Sequence, residues 1–271
     1  MTRIAVASDL HIEFERSGAS NPPAVAALHP AYGPDLAVIH GEADFLVLAG
    51  DIDLGANGIL YADEAARFLE IPVACVLGNH EAYGSNIEEV IADCREAADA
   101  TEGRVLFLEE DAAEIAGVRL LGCVLWTDYE INGNREASMH AAAGMLNDHR
   151  LITCGGNRFT PVDALDRHRH ARSWLEHELA GGSELPIVVV THHAPVRAAN
   201  APEHVGSALS PAFVSDLEGM ILKYEPAAWI WGHTHYSVDT AVGKTRCISA
   251  QRGYPGVDPL AARFRPAIIE I

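Results

Sequence analysis

Five short stretches of this 271-residue chain end an apolar run on residues able to bind a metal. IAVAS is followed by Asp9 and His11, FLVLAG by Asp51 and Asp53, and VACVLG by Asn79, His80 and Glu81. IVVVT is followed by His192 and His193, and AAWIWG by His233 and His235. In each case one small residue (Ser8, Gly50, Gly78, Thr191 or Gly232) stands between the run and the first such side chain. A turn straight off a strand needs unusual backbone angles and close approach to whatever is bound, and a small residue permits both. The donors are carboxylate, amide and imidazole without sulfur, which suits Mn, Fe, Zn, Co or Ni as divalent ions. Residues i and i+2 of an extended chain point the same way, so His233 and His235 can face one spot past a strand end. A single histidine pair in a loop proves little. Five such ends are another matter, because ligands of open α/β sheets gather outside the carboxyl ends of the strands.

Helical patterns separate these runs. Asn86 reads as an N-cap before Ile87, Val90, Ile91, Cys94 and Ala98, with Glu88 and Glu89 in the first turn. Thr160-Pro161 and Ser210-Pro211 each pair a cap with proline at the first helical position. The first predicts a helix closed by Gly181-Gly182, the second a helix with Phe213, Leu217, Ile221 and Tyr224 on one face. Residues 237–242 and 245–249 flank Gly243-Lys244 as a hairpin, and 267–271 is a last short strand. Stretches 17–34 and 126–159 read as long irregular loops, which inside a compact domain are usually functional or disordered. Alternating strands and helices before a β-rich tail indicate α/β or mixed α+β layers in a single domain, 1–271.

Composition narrows the function. With 49% hydrophobic residues the chain reads as globular, and no apolar run nears the ~18 to 20 residues that span a bilayer. The start lacks a basic and apolar leader pattern, so a cytoplasmic, non-membrane protein is expected. The five cysteines are scattered, never in C-x-x-C spacing, and indicate neither disulfides nor a thiolate zinc site. A net charge of −19 disfavours a surface that grips nucleic acid polymers or anionic lipid. A small anionic substrate stays possible, since a pocket's local charge can oppose the global one.

At this point the chain resembles the calcineurin-like metallophosphoesterases. The family's five signature blocks match, in order, Asp9-Leu10-His11, Gly50-Asp51, Gly78-Asn79-His80-Glu81, His192 within THHAP, and Gly232-His233-Thr234-His235. Each block is weak alone, but together, across residues 4 to 235, they are specific. The resemblance implies a four-layer αββα sandwich, two mixed β-sheets flanked by helices. It also implies two adjacent divalent metal ions, one on Asp9, His11, Asp51 and His235, the other on Asp51, Asn79, His192 and His233. Asp51 would bridge them, and His80 would stand by the leaving group as its acid, its pKa pressed down by the cations. Two divalent ions, two carboxylates and a bridging hydroxide leave about one positive charge to receive a phosphate. The expected reaction is hydrolysis of a small phosphorylated substrate, a diester or a phosphorylated metabolite or nucleotide. A dedicated phosphomonoesterase is the alternative, and a nuclease fits the acidic balance less well.

Other residues carry two readings. His193 follows a ligand directly and reads as a supporting group, while Asp53 and Glu81 could orient imidazoles or merely cap loops. An insert at about 126–180 would shape substrate access. Five arginines between Arg150 and Arg172 form a local basic patch, and Arg150 and Arg158 could grip the rest of a phosphorylated substrate. A solvated, salt-bridged helix face explains the patch equally well. His168 and His170 read as surface residues of that helix. Two readings come from other classes: a metal-free scaffold would have lost ligands, and a one-iron facial triad would leave Asp51, Asn79 and the GHTH pair unexplained.

Overall fold

The computed structural model describes residues 1–17 and 33–271, so the loop expected at 17–34 lies almost wholly outside the described residues. Its first half runs β1 (Arg3–Ala7), α1 (Ile12–Ser17), β2 (Phe45–Ala49), α2 (Asn57–Leu69), β3 (Val73–Val76), α3 (Ile87–Asp99), β4 (Val105–Phe107), β5 (Asp111–Ile115) and β6 (Val118–Cys123). Then come α4 (Arg135–Met145), α5 (Asp148–Leu151), β7 (Thr153–Cys154), β8 (Asn157–Arg158), α6 (Pro161–Gly181) and β9 (Ile187–Thr191). The chain continues through α7 (Glu218–Tyr224), β10 (Ala228–Ile230), β11 (Asp239–Val242), β12 (Thr245–Ile248) and β13 (Ala267–Glu270).

One sheet has the order β13-β1-β2-β3-β4 and the other β11-β12-β10-β9-β6-β5. Each is parallel inside; the first has one antiparallel edge, β13 against β1, with β4 parallel at the other, and the second has antiparallel β11 and β5 at both edges. The interior strands are apolar and buried on both faces, as parallel strands between two layers must be. The period of two then sorts their side chains. Ile4 and Val6 of β1 meet Val188 and Val190 of β9 and Ile230 of β10 between the sheets. Ala5 and Ala7 face Ala62 and Leu69 of α2 and Cys94 of α3 instead, and Val189 and Trp229 face Leu175 of α6 and Ile221 of α7. Helix, sheet, sheet and helix layers follow, as expected.

Local signals account for the helix starts. The Asn86 side chain accepts from the Glu88 and Glu89 amides, and Thr160 forms a capping box with Asp163 ahead of Pro161. The hairpin turns at Gly243, whose φ of 61° suits glycine, and β13 closes the first sheet. Two expectations fail. Ser210-Pro211 opens a single 3₁₀ turn, and the helix begins only at Glu218. The intervening amides are used elsewhere, Ser215 N donating to Ala194 O at 2.9 Å and Leu217 N to Pro195 O at 2.8 Å. Nor is 126–159 irregular throughout, since it holds α4, α5 and the β7-β8 hairpin. No helix among the described residues is long and apolar enough to cross a membrane.

Candidate metal centre

The turns leaving β1, β2 and β10 place their polar residues in backbone that few side chains adopt. Asp9 (φ 52°), His11 (φ 48°), Asp51 (φ 53°), His233 (φ 74°) and His235 (φ 50°) are all left-handed. Asp and His tolerate that region better than most residues, yet such strain persists only where the surroundings enforce it. The small residues supply the enforcement. A Cβ on Gly78 would sit 2.0 Å from Asp51 Oδ1, one on Gly50 2.5 Å from His192 Nδ1, and one on Gly232 2.7 Å from Asp9 Oδ2. The backbones must therefore pass close to the side chains of neighbouring turns. Asp51 Oδ1 accepts from His80 N, and Asp9 Oδ1 accepts from His233 N, both at 2.9 Å.

Two clusters result. In one, ligand atoms of Asp9, His11 and His235 lie within 4.8 Å of one another, and in the other those of Asp51, His192 and His233 do. Asp51 faces both, with His192 Nε2 3.4 Å from Oδ1 and His11 Nε2 3.8 Å from Oδ2. Asn79 joins the second cluster, its Oδ1 3.1 Å from His192 Nε2. His80 lies close enough to His11 and Asp51 to make a third grouping. Its ring is otherwise engaged, Nδ1 3.1 Å from Glu13 Oε1 and Nε2 3.3 Å from the Tyr254 hydroxyl.

Ring tautomers provide the test of whether these groups fit a metal. His11 Nδ1 faces Glu13 Oε1 at 3.1 Å, His235 Nδ1 faces Asp258 Oδ2 at 3.2 Å, and His192 Nδ1 faces Ala49 O at 2.9 Å. Each outer nitrogen meets an acceptor and so carries the hydrogen, leaving each Nε2 of a neutral ring as a lone pair. Yet His11 Nε2 and His235 Nε2 are 3.0 Å apart, and His192 Nε2 faces only carboxylate and amide oxygens. Lone pairs cannot bond one another. The buried His233 Nε2 and Asp9 Oδ2 also have no hydrogen-bond partner. Cations in the two clusters would satisfy all of these atoms at once, and the nitrogen and oxygen donors suit divalent ions.

Without bound cations, a proton on His192 Nε2 takes their place. Burial works against a charge on His192, but Asp51 and Asp9 outweigh it and push the ring up to about 10. Burial would likewise raise Asp51, whereas His192, His80 and His11 hold it well below the carboxylate range. His80 is pressed down by burial and pushed up, by more, by Asp51 and Glu13, to about 9. The protein's own groups thus act on His80 opposite to the expected pull of bound cations. His193 is held down by burial and His192, its ring 4.1 Å from that of His233 and its Nδ1 3.4 Å from Val124 O.

Several supporting residues escaped the sequence reading. Glu13 accepts from both His11 and His80, although it lies only two residues past His11. Asp148 accepts from Asn79 Nδ2 at 2.8 Å and Tyr83 Oη at 2.6 Å, which turns the Asn79 carbonyl toward the cluster. Glu81 ties the turns together rather than orienting a ring, accepting from Asp51 N, Ile52 N and Gly78 N. Asp53 Oδ1 accepts from Leu54 N. His168 corrects an expectation: it is buried, its Nδ1 3.4 Å from Trp126 O. It falls on the same stripe of α6 as Leu165, Ala171 and Leu175, while His170 is exposed.

The clusters open into a cleft of about 410 Å³, walled by Tyr83, Met145, Asn147, Asp148, Phe213 and Tyr254 besides His80, His233 and His235. Arg150 and Arg158 are exposed and do not line it, and the Arg150 guanidinium bonds Asn147 Oδ1 and Met145 O. Arg167 pairs with Glu88 and Arg169 with Asp166, so these two arginines of the patch are salt-bridged.

Comparison with known proteins agrees with this geometry. The chain is 25% identical over 177 residues to the uncharacterized protein L509 of Acanthamoeba polyphaga mimivirus, a match over 60% of this chain and 61% of that one. The phosphopantetheinyl hydrolase PptH of Mycobacterium tuberculosis superposes with a TM-score of 0.62 at 19% identity, over 97% of this chain and 95% of that one. TT1561 of Thermus thermophilus superposes with a TM-score of 0.51 at 13% identity, over 92% and 89%. These structures share the fold. The model of the calcineurin-like phosphoesterases matches residues 2–237, and the chain belongs to that family.

Proposed function

We propose that this protein hydrolyses phosphoric esters with two divalent metal ions. Asp9, His11, Asp51 and His235 would hold one ion and Asp51, Asn79, His192 and His233 the other, with Asp51 shared by both sets. The reading rests on one observation above all: ligand atoms of Asp9, His11 and His235 and of Asp51, His192 and His233 converge in two clusters, in which the buried His233 Nε2 and Asp9 Oδ2 have no hydrogen-bond partner. Ions bound there lower the pKa of water and neutralise charge on the phosphoryl oxygens.

The chain's own residues supply the rest. Glu13 holds His80 through Nδ1, so that Nε2, 3.3 Å from the Tyr254 hydroxyl, is the nitrogen that faces the cleft. His80 then gives its proton to the departing ester oxygen. Residues Met145 to Asp148, from the 126–180 stretch, form part of the cleft wall and shape access. The substrates are small phosphorylated molecules, diesters or phosphorylated metabolites, and the net charge of −19 weighs against nucleic acid polymers. Five free cysteines, four of them buried, suit a cytoplasmic location. The test is to measure metal content by mass spectrometry, then to assay Mn-loaded protein on aryl phosphate monoesters and diesters. About two equivalents of metal with turnover of either ester bears the reading out, and loaded protein inert on both overturns it.

A further inference from the structure

Beside the cleft lies a second cavity of about 300 Å³, and the two share His204, Phe213 and Thr234 as walls. Phe213 stacks on His233 with ring centroids 4.6 Å apart, so this chamber begins one side chain from the metal-facing histidines. Ala199, Ala201, Leu209 and Phe213 give it an apolar side, and Asn200, His204 and Thr234 are polar residues of its wall. Its serines are already engaged within the wall, Ser210 Oγ donating to His204 O and Ser207 Oγ accepting from Leu209 N. The volume lies at the lower end of the ~300 to 1,000 Å³ typical of small-molecule pockets.

Charge is distributed just as unevenly. Among the described residues, no lysine or arginine lines either cavity, while Asp148 and Asp258 line the cleft. The bound ions and His80 would meet the reacting phosphoryl group, but beyond them a second anionic group on the substrate meets two carboxylates and, among the described residues, no basic side chain except His204. Desolvating it without a partner costs more than the chamber's apolar contacts return.

We propose that this chamber receives the organic group of the ester, and that this group is uncharged and largely apolar. The inference rests on the phosphoesterase reading and narrows it: sugar phosphates and nucleotides with further phosphates are poor substrates, and esters of neutral chains are good ones. Water adds to phosphorus, the ester P–O bond breaks, and the oxygen of the departing group takes a proton.

The test compares metal-loaded wild-type protein on two series, alkyl phosphates and alkyl p-nitrophenyl phosphates, from methyl to octyl, with chains ending in a carboxylate as controls. In whichever series is turned over, kcat/KM should rise by about three- to fourfold per methylene until the chamber is full. A terminal carboxylate should cost at least about tenfold against the uncharged chain of equal length. Leu209→Trp should flatten the series, and Leu209→Lys should shift preference toward the carboxylated chains. A flat wild-type series, or a preference for the charged chains, overturns the inference while leaving hydrolysis itself intact. Inertness toward every ester despite two bound metals sinks the phosphoesterase reading instead, and this inference with it.

Discussion

The two metal-facing clusters are built on different principles. Around Asp51, His192 and His233 everything is buried and held by backbone and packing: His192 leans on the Ala49 carbonyl, and His233 is sandwiched between His193 and Phe213. Around Asp9, His11 and His235 the outer imidazole nitrogens lean on carboxylates, Glu13 and Asp258, and His235 is partly exposed. Shape positions the inner cluster and charge the outer one. Asp51 alone belongs to both, so the largest effect is expected there. Asp51→Ala should release both ions and abolish turnover, as mass spectrometry of the purified variant would read directly. Full occupancy in that variant would mean the clusters are independent sites.

His80 stands at the outer cluster without joining it. His80→Ala should keep both metals and slow an alkyl ester by about 10² to 10⁴, the usual range for lost acid catalysis. A p-nitrophenyl ester, whose leaving group needs little protonation, should lose much less. Equal losses would assign His80 to phosphate positioning, and loss of metal would make it a ligand.

A smaller effect separates inner from outer more directly. Asp258→Asn removes the carboxylate behind His235, and removal of such a partner typically weakens a metal site by about 10- to 100-fold. Stepwise chelation should show one ion lost early and the other retained as in wild type. Equal weakening of both would dissolve the distinction between a site held by charge and one held by shape.

The same distinction explains what the sequence disclosed. The seven residues of the proposed metal centre sit at strand ends after small residues, a local pattern, and both sheets follow from apolar runs buried on both faces. Glu13, Asp148 and Asp258 act through contacts that spacing does not encode: Asp258 reaches His235 from 23 positions along the chain, Asp148 reaches Asn79 from 69. The helix expected from Ser210 was lost to amides of Ser215 and Leu217 that pair with the strand-end segment at Ala194 and Pro195. His168 reads as a surface residue on its polarity, and its place on the apolar stripe of α6 outweighs that.

The inner cluster's backing extends to the half-buried Glu109, where the predicted effect falls on stability and on neither metal nor turnover. Val124 O accepts from His193 N, while Val124 N donates to Glu109 Oε2 at 2.9 Å. Burial pushes the Glu109 carboxyl up to about 7, with Glu110 adding to the shift and the Val124 amide opposing it. An acid raised on folding binds its proton more tightly in the folded state than in the unfolded one. Its favourable contribution is therefore complete below the unfolded value of about 4.5 and is lost as pH rises through about 7. Glu109→Gln removes the titration and keeps an acceptor for the Val124 amide. It should leave stability nearly unchanged at pH 4 and raise it by about 2 kcal/mol at pH 8, read by urea denaturation at the two pH values. Metal content should not change, because the link to His193 runs through a backbone carbonyl that the substitution leaves in place. The outer-cluster variant Asp258→Asn should show the reverse pattern, metal affinity altered and stability of the metal-free protein little changed. If Glu109→Gln instead loses metal from the inner cluster, that cluster is held by charge as much as the outer one.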